Sequence, residues 1–278
     1  METPGITSPL PDCWVVGHGL LGAALAASLR SAGTRVLTLD VAAPADVVGD
    51  AADEAVLQRS LQRLVPQVVF CCQATGGGTP ADYRRAYGDV VQQLTALNLR
   101  VVFCSSVSVY GAVSGAVDEA VQPVGASERA QILLDTEDVV RRSGGIVLRL
   151  AALYGAGRCE VLRRHLAGEP RLPGNADRFL SYVHTDDAVS ALILAAQKAA
   201  PGSCLNVCGE SVQHAELYSQ LTEATGVLPS EETTPASRRG LSDRLIDCAR
   251  LRELGWKPQI SLRRFAEQCA DTLGTDAP

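Results

Sequence analysis

With 278 residues, 46% of them hydrophobic and 20% charged, the chain has the balance of a soluble globular protein, with room for one large α/β domain or two small ones. A formal charge of −6 and the lack of any Lys/Arg cluster argue against nucleic acid, and no apolar stretch is long enough to span a bilayer. The opening METPGITSPLPD lacks the basic start and apolar core of a signal peptide, so residues 1–12 read as a short disordered lead-in to a cytoplasmic protein.

In chain order, Cys13–Gly17 is the first strand candidate. Leu20–Ala32 follows as a helix, with Leu21, Leu25 and Leu29 on one face and Gly33 as its stop. Arg35–Asp40 reads as a strand, Asp53–Leu64 as a helix, Gln67–Gln73 as a strand and Ala81–Leu97 as a helix carrying Tyr83, Tyr87, Val90, Val91 and Leu94. The run VVFCSSVSVYG from Val101 is the next strand, Ser127–Arg142 the next helix and Ile146–Leu150 another strand. Strands separated by helices of this length imply right-handed crossovers and a parallel sheet covered on both faces. A Rossmann-like, doubly wound α/β domain is therefore expected over 13–155. Prolines and glycines punctuate the remainder, so 156–278 reads as a small C-terminal substrate lobe that sends segments back into the main domain.

Nine cysteines raise the question of metal or disulfides. Cys13, Cys71, Cys72 and Cys104 sit inside apolar strand-like runs, where cysteine behaves as a small buried hydrophobe. Cys204 and Cys208 have no second pair and no neighbouring histidine, so no metal site is expected. An odd count without a secretory signal favours the reducing cytosol.

VVGHGLLGAALAASL places Gly17, Gly19 and Gly22 in the order G-x-G-x-x-G between a strand and a helix. Gly17 allows a tight turn, Gly19 lets backbone approach a pyrophosphate, and Gly22 lets helix and strand pack closely. The helix N-terminus then offers free N–H groups to the phosphates. Asp40, about 20 residues on at the end of the second strand, is placed to accept both hydroxyls of a ribose. It would repel a 2′-phosphate, and no arginine follows it in VAAPAD, which favours NAD over NADP. Asp50 is read in two ways, as a partner of the adenine amino group or as a turn before the next helix. Leu20, Leu21, Ala51, Cys72, Gln73 and Ala74 complete the expected cofactor-binding set.

These motifs together resemble the extended branch of the short-chain dehydrogenase/reductase superfamily, the NAD-dependent epimerases and dehydratases, over roughly residues 13 to 265. CSSVSVYG is similar to that branch's SS-x-x-x-VYG, VLRLAALYGAGR to R-x-x-x-x-YGPG, YVHTDD to its HV-D-D helix start, CLNVCGE to N-V-G-G and DCARLRELGWKP to its C-terminal signature. Val16 stands where the usual G-x-x-G-x-x-G has its first glycine, which points to an atypical subgroup. The resemblance implies that Ser106 hydrogen-bonds the substrate oxygen where hydride arrives or leaves, stabilising charge as it develops. It also implies a small-molecule substrate and a homodimer formed through helices 81–97 and 127–142.

One element of the family is missing. Its acid–base pair is Tyr-x-x-x-Lys, in which the lysine lowers the tyrosine pKa. In the expected frame Val124 takes the tyrosine position and Glu128 the lysine position, and with only Lys198 and Lys257 in the chain no Tyr-x-x-x-Lys exists anywhere. Tyr110, Tyr154, His184 and Glu128 are the substitute candidates, and Ser106, Tyr110 and Glu128 form the expected catalytic set. Tyr110 in VYG also reads as a loop pin, and His184 as the start of a helix. Leu180 and Ser181 precede Tyr182 where nucleotide-sugar epimerases place an arginine, and the nearest arginine is Arg178. Arg238, Arg239 and Arg244 in SRRGLSDR read either as an anion site or as an exposed face. Two functions remain open: an NAD-dependent oxidoreductase or epimerase, and a catalytically silent NAD-binding sensor.

Overall fold

The computed structural model describes residues 9–155, 157–171, 176–232 and 243–275, with side chains as far as residue 270. Most of the expected lead-in therefore lies outside the described residues. Of what remains, Leu10 is buried and its carbonyl accepts from the Thr34 hydroxyl at 3.2 Å.

The elements run β1 (Cys13–Val16), α1 (Leu20–Ser31), β2 (Val36–Asp40), β3 (Val47–Val48), α2 (Glu54–Arg63), β4 (Val68–Cys71), α3 (Pro80–Tyr83), α4 (Val90–Ala96), β5 (Arg100–Ser106), β6 (Gly115–Val117) and α5 (Glu128–Arg142). They continue with β7 (Ile146–Leu150), β8 (Ala152–Tyr154), α6 (Glu160–Leu166), β9 (Phe179–His184), α7 (Thr185–Lys198), β10 (Cys204–Val207), β11 (Glu210–Gln213), α8 (His214–Thr225), β12 (Arg244–Ile246), α9 (Ala249–Glu253) and α10 (Leu262–Thr275).

Seven strands form one parallel sheet in the order β10-β7-β5-β4-β1-β2-β3. The central strands are buried on both faces, which explains their unbroken apolar runs: all four residues of β1 and of β4 are buried. Helices α1 and α7 pack together over one face, and α4 and α5 over the other. Strand order reverses between β1 and β4, so a crevice opens beyond their C-terminal ends, where doubly wound sheets hold ligands.

The remaining strands form a three-stranded sheet, β11-β9-β8, and the pair β12-β6. The three-stranded sheet shares a second apolar cluster, including Tyr154, Tyr182, Leu217 and Phe265, with α8 and α10, whereas Val117 of β6 and Ile246 of β12 join the main core. β10 and α7, from residues beyond 155, belong to the main sheet and its cover.

The helix expected over Ala81–Leu97 departs from a regular α-helix. α3 is a single turn capped by Thr79, and a π-helical stretch, Arg84–Asp89, joins it to α4. Such widened turns recur at functional sites because they re-aim side chains within a helix. Here Tyr83 and Tyr87 both reach the crevice wall.

Candidate functional site

The crevice is a cleft of about 850 Å³ that runs from the glycine turn to the end of β5. At Gly17, φ is +91°, and a Cβ would lie 2.4 Å from the Gln73 nitrogen. At Gly22 a Cβ would lie 1.8 Å from the Gly17 carbonyl oxygen, so this glycine closes the helix onto the turn and does not line the cleft. Gly19 differs from both. A Cβ there would meet nothing within 4 Å, and as N-cap of α1 it supplies no side chain to the free helix N–H groups. Open space in front of an uncapped helix start fits a dinucleotide pyrophosphate.

Asp40 ends β2 at the cleft wall. One oxygen accepts from the His18 N–H at 2.5 Å and the other from Ala42 at 3.1 Å, which fixes the carboxylate beside the turn. Leu20, Leu21, Asp50, Ala51, Cys72, Gln73 and Ala74 also line the cleft. Asp50 is already engaged, accepting from Ala52 at 2.8 Å and from Arg85 at 2.6 Å, so its turn role is filled and Arg85 lines the cleft beside it. The sequence reading gave Arg85 no role. Arg85 lies in the π-helical stretch.

At the other end, Ser106 accepts from the Ser108 N–H at 3.1 Å and lines both the cleft and a second pocket of about 260 Å³. The remaining expected catalytic residues are not brought to it. Tyr110 is fully buried, its hydroxyl donates to Asn206 Oδ1 at 2.8 Å, and the Arg149 guanidinium lies 4.9 Å from its ring centre. Burial pushes the Tyr110 phenol up to about 12, with Arg149 pulling the other way. It clamps β5 to β10, as the loop-pin reading has it.

Glu128 is the exposed first residue of α5 and does not line the cleft. α5 starts where the expected helix does, with Ser127 as its cap, and Val124 precedes it and bridges to Gly111. The α5 residue in the cleft wall is Leu133. One turn earlier, Arg129 places its guanidinium 5.6 Å from the centre of the Tyr83 ring. Tyr154 and His184 are likewise committed. The Tyr154 hydroxyl donates to the Ile260 carbonyl at 2.8 Å, and His184 Nδ1 accepts from Asp186 N–H at 3.1 Å as the cap of α7.

Tyr83 ends α3 and Tyr87 lies in the π-helical stretch; Tyr87 is buried, as a core position of the expected helix would be, and both also line the cleft, a role the sequence reading gave neither. Cys72, expected in the cofactor-binding set, and Cys104, on β5, line the cleft with their sulfurs 3.6 Å apart. Arg244, read as one of a basic run, is buried, while Arg238 and Arg239 lie outside the described residues. Among the described residues no group of three or more His, Cys, Asp or Glu side chains is placed to hold a metal ion.

The chain is similar to the protein YeeZ of Escherichia coli K12, with 28% identity over 88% of this chain and 94% of that protein. Its fold matches a UDP-glucose 4-epimerase of Thermotoga maritima solved with UDP-glucose (TM-score 0.78, 22% identity, 96% of this chain and 99% of that one). It also matches a dTDP-glucose 4,6-dehydratase of Bacillus anthracis solved with NAD (TM-score 0.80, 16% identity, 96% and 97%). A family model matches residues 13–208, and the chain belongs to the NAD dependent epimerase/dehydratase family.

Proposed function

We propose that this protein is an NAD-dependent oxidoreductase or epimerase acting on a small hydroxylated or keto substrate. The observation that carries the reading is continuity: the glycine turn, Asp40 and Ser106 share one cleft of about 850 Å³. Gly19 and the start of α1 would hold the pyrophosphate, and Asp40 the adenosine ribose. NAD, when bound, supplies the acceptor or donor of hydride. Ser106 would donate a hydrogen bond to the substrate oxygen on which charge develops.

Because the sequence contains no Tyr-x-x-x-Lys, another group must handle the proton. Tyr83 is the candidate, since its ring lines the cleft and the Arg129 guanidinium stands 5.6 Å from the ring centre. Tyr87 is less suited, because burial pushes its pKa up and its hydroxyl is engaged with Thr75. The silent-sensor reading expects the space beside Ser106 to be filled by side chains. That space is an open pocket with Ser106, Ser108 and Ser181 in its wall, which favours turnover. A homodimer through α4 and α5 and a cytoplasmic location belong to the same reading, the latter in keeping with nine free thiols.

Calorimetric titration of the cofactor-stripped protein with NAD(H) and NADP(H) is the test. Micromolar NAD binding with roughly tenfold weaker NADP is expected. Absence of binding to either would sink both the enzyme and the sensor reading.

A further inference from the structure

Arg244 is 7% exposed. Its Nη1 donates to the Gly111 carbonyl at 2.9 Å, and among the described residues no carboxylate lies within ion-pair distance. The neighbouring Asp243 carboxylate accepts from Phe179 N–H at 2.9 Å. A guanidinium carries five N–H donors, and burying one without an anion is costly. Burial, with Arg178 adding a like charge, pushes the Arg244 pKa down.

The side chain lines the 260 Å³ pocket that opens beside Ser106 and is walled further by Ser181, Tyr182 and Leu180. β12 pairs in register with β6, and the Arg244 carbonyl accepts from the Ser181 hydroxyl at 3.0 Å, so the backbone behind the guanidinium is fixed. A space of this size falls below the range usual for drug-sized ligands. It suits one small group better than a nucleoside diphosphate.

We propose that Arg244 is the anion anchor of the substrate pocket, receiving a carboxylate or phosphate carried by a small hydroxylated or keto substrate whose reacting carbon lies at Ser106. The identity of the reacting carbon rests on the function proposed above, whereas the anion site stands on the buried guanidinium and its pocket.

The test is thermal unfolding of the full chain in sodium acetate and in sodium phosphate, each against sodium chloride at equal ionic strength. For the unaltered protein the melting temperature should rise saturably with one of the two anions beyond the chloride control, and the anion acting at lower concentration identifies the group. Arg244→Met should weaken that response about tenfold or more, the scale of losing charge-assisted hydrogen bonds. Its melting temperature in dilute buffer should equal or exceed that of the unaltered protein, because a buried charge has gone. Arg244→Lys should fall between, since a point charge replaces a planar fork; it also serves if the methionine variant does not fold. An unaltered protein that responds no better to either anion than to chloride would overturn the proposal. So would a response equal in the unaltered protein and in either variant. NAD titration of the unaltered protein is read separately, so failure of cofactor binding and failure of the anion site are distinguishable.

Discussion

Two buried arginines flank the end of β5, and the fold treats them in opposite ways. Arg149, on β7, is 6% exposed and meets Glu137 through contacts of 2.6 and 3.1 Å, while Ser105 donates to the same carboxylate at 2.5 Å. Arg244, above the strand, is as deeply buried but has one backbone carbonyl and a pocket. Beneath the strand the cost of burying charge is met inside the protein. Above it, that cost is left for a ligand to offset.

Replacing Glu137 by leucine would test the closed side most severely. It strands Arg149 as an uncompensated buried charge, so urea unfolding should show a loss of about 3–5 kcal/mol. Arg244→Met should cost little by the same assay, and equal losses would erase the contrast. The glycine turn repeats the distinction between filled and open space. Gly22→Ala drives a methyl into the Gly17 carbonyl and should destabilise by roughly 1–3 kcal/mol. Gly19→Ala should leave stability within about 0.5 kcal/mol, with NAD affinity falling in calorimetry because the methyl enters the space meant for the pyrophosphate.

The two hydroxyls of CSSVSVYG should separate in the same manner. Tyr110→Phe removes a buried hydrogen bond to Asn206 and should cost about 1 kcal/mol of stability with NAD binding retained. Ser106→Ala should scarcely alter unfolding yet lower turnover about 10²–10³-fold once a substrate is in hand. Reversed outcomes would exchange the structural and catalytic assignments.

The smallest effect concerns pH. Burial holds His184 below its ordinary value of about 6.5, and His165 likewise. The unfolded chain therefore binds protons more readily. Stability from these groups is fully present above about pH 6.5 and is lost as pH falls through the lower folded-state values. His184→Asn keeps an acceptor for Asp186 N–H and should flatten that slope in urea midpoints measured between about pH 5 and 8. An unchanged slope would remove His184 from the account.

The regular parts of the fold were legible because their causes are local. Unbroken apolar runs such as CWVV and VVFC can be satisfied only by strands covered on both faces, and Gly17 and Gly22 answer backbone constraints that sequence spacing expresses, with Gly19 between them left open. The candidate catalytic residues were harder to read. Tyr110 was selected by nearness in sequence to Ser106 and Glu128 by the Tyr-x-x-x-Lys frame, but the Tyr110 hydroxyl is bonded to Asn206 and Glu128 is exposed at the start of α5, outside the cleft lining. Tyr83 carried a visible clue, an aromatic at helical spacing from Tyr87. Periodicity cannot reveal that the face it marks as core also borders a cleft, nor that a π-helical stretch interrupts the helix.

By itself, then, the sequence determined the doubly wound sheet, the glycine turn with Asp40 beside it, and the absence of Tyr-x-x-x-Lys, for these depend on residue type and spacing along the chain. Tertiary structure decided which side chains share a cavity: that Arg129 approaches Tyr83, that Arg85 engages Asp50, and that Arg149 finds Glu137 while Arg244 finds a pocket. Charge pairing across elements far apart in the chain has no local signature. The same arginine can be a strut or an anchor according to what the fold sets opposite it.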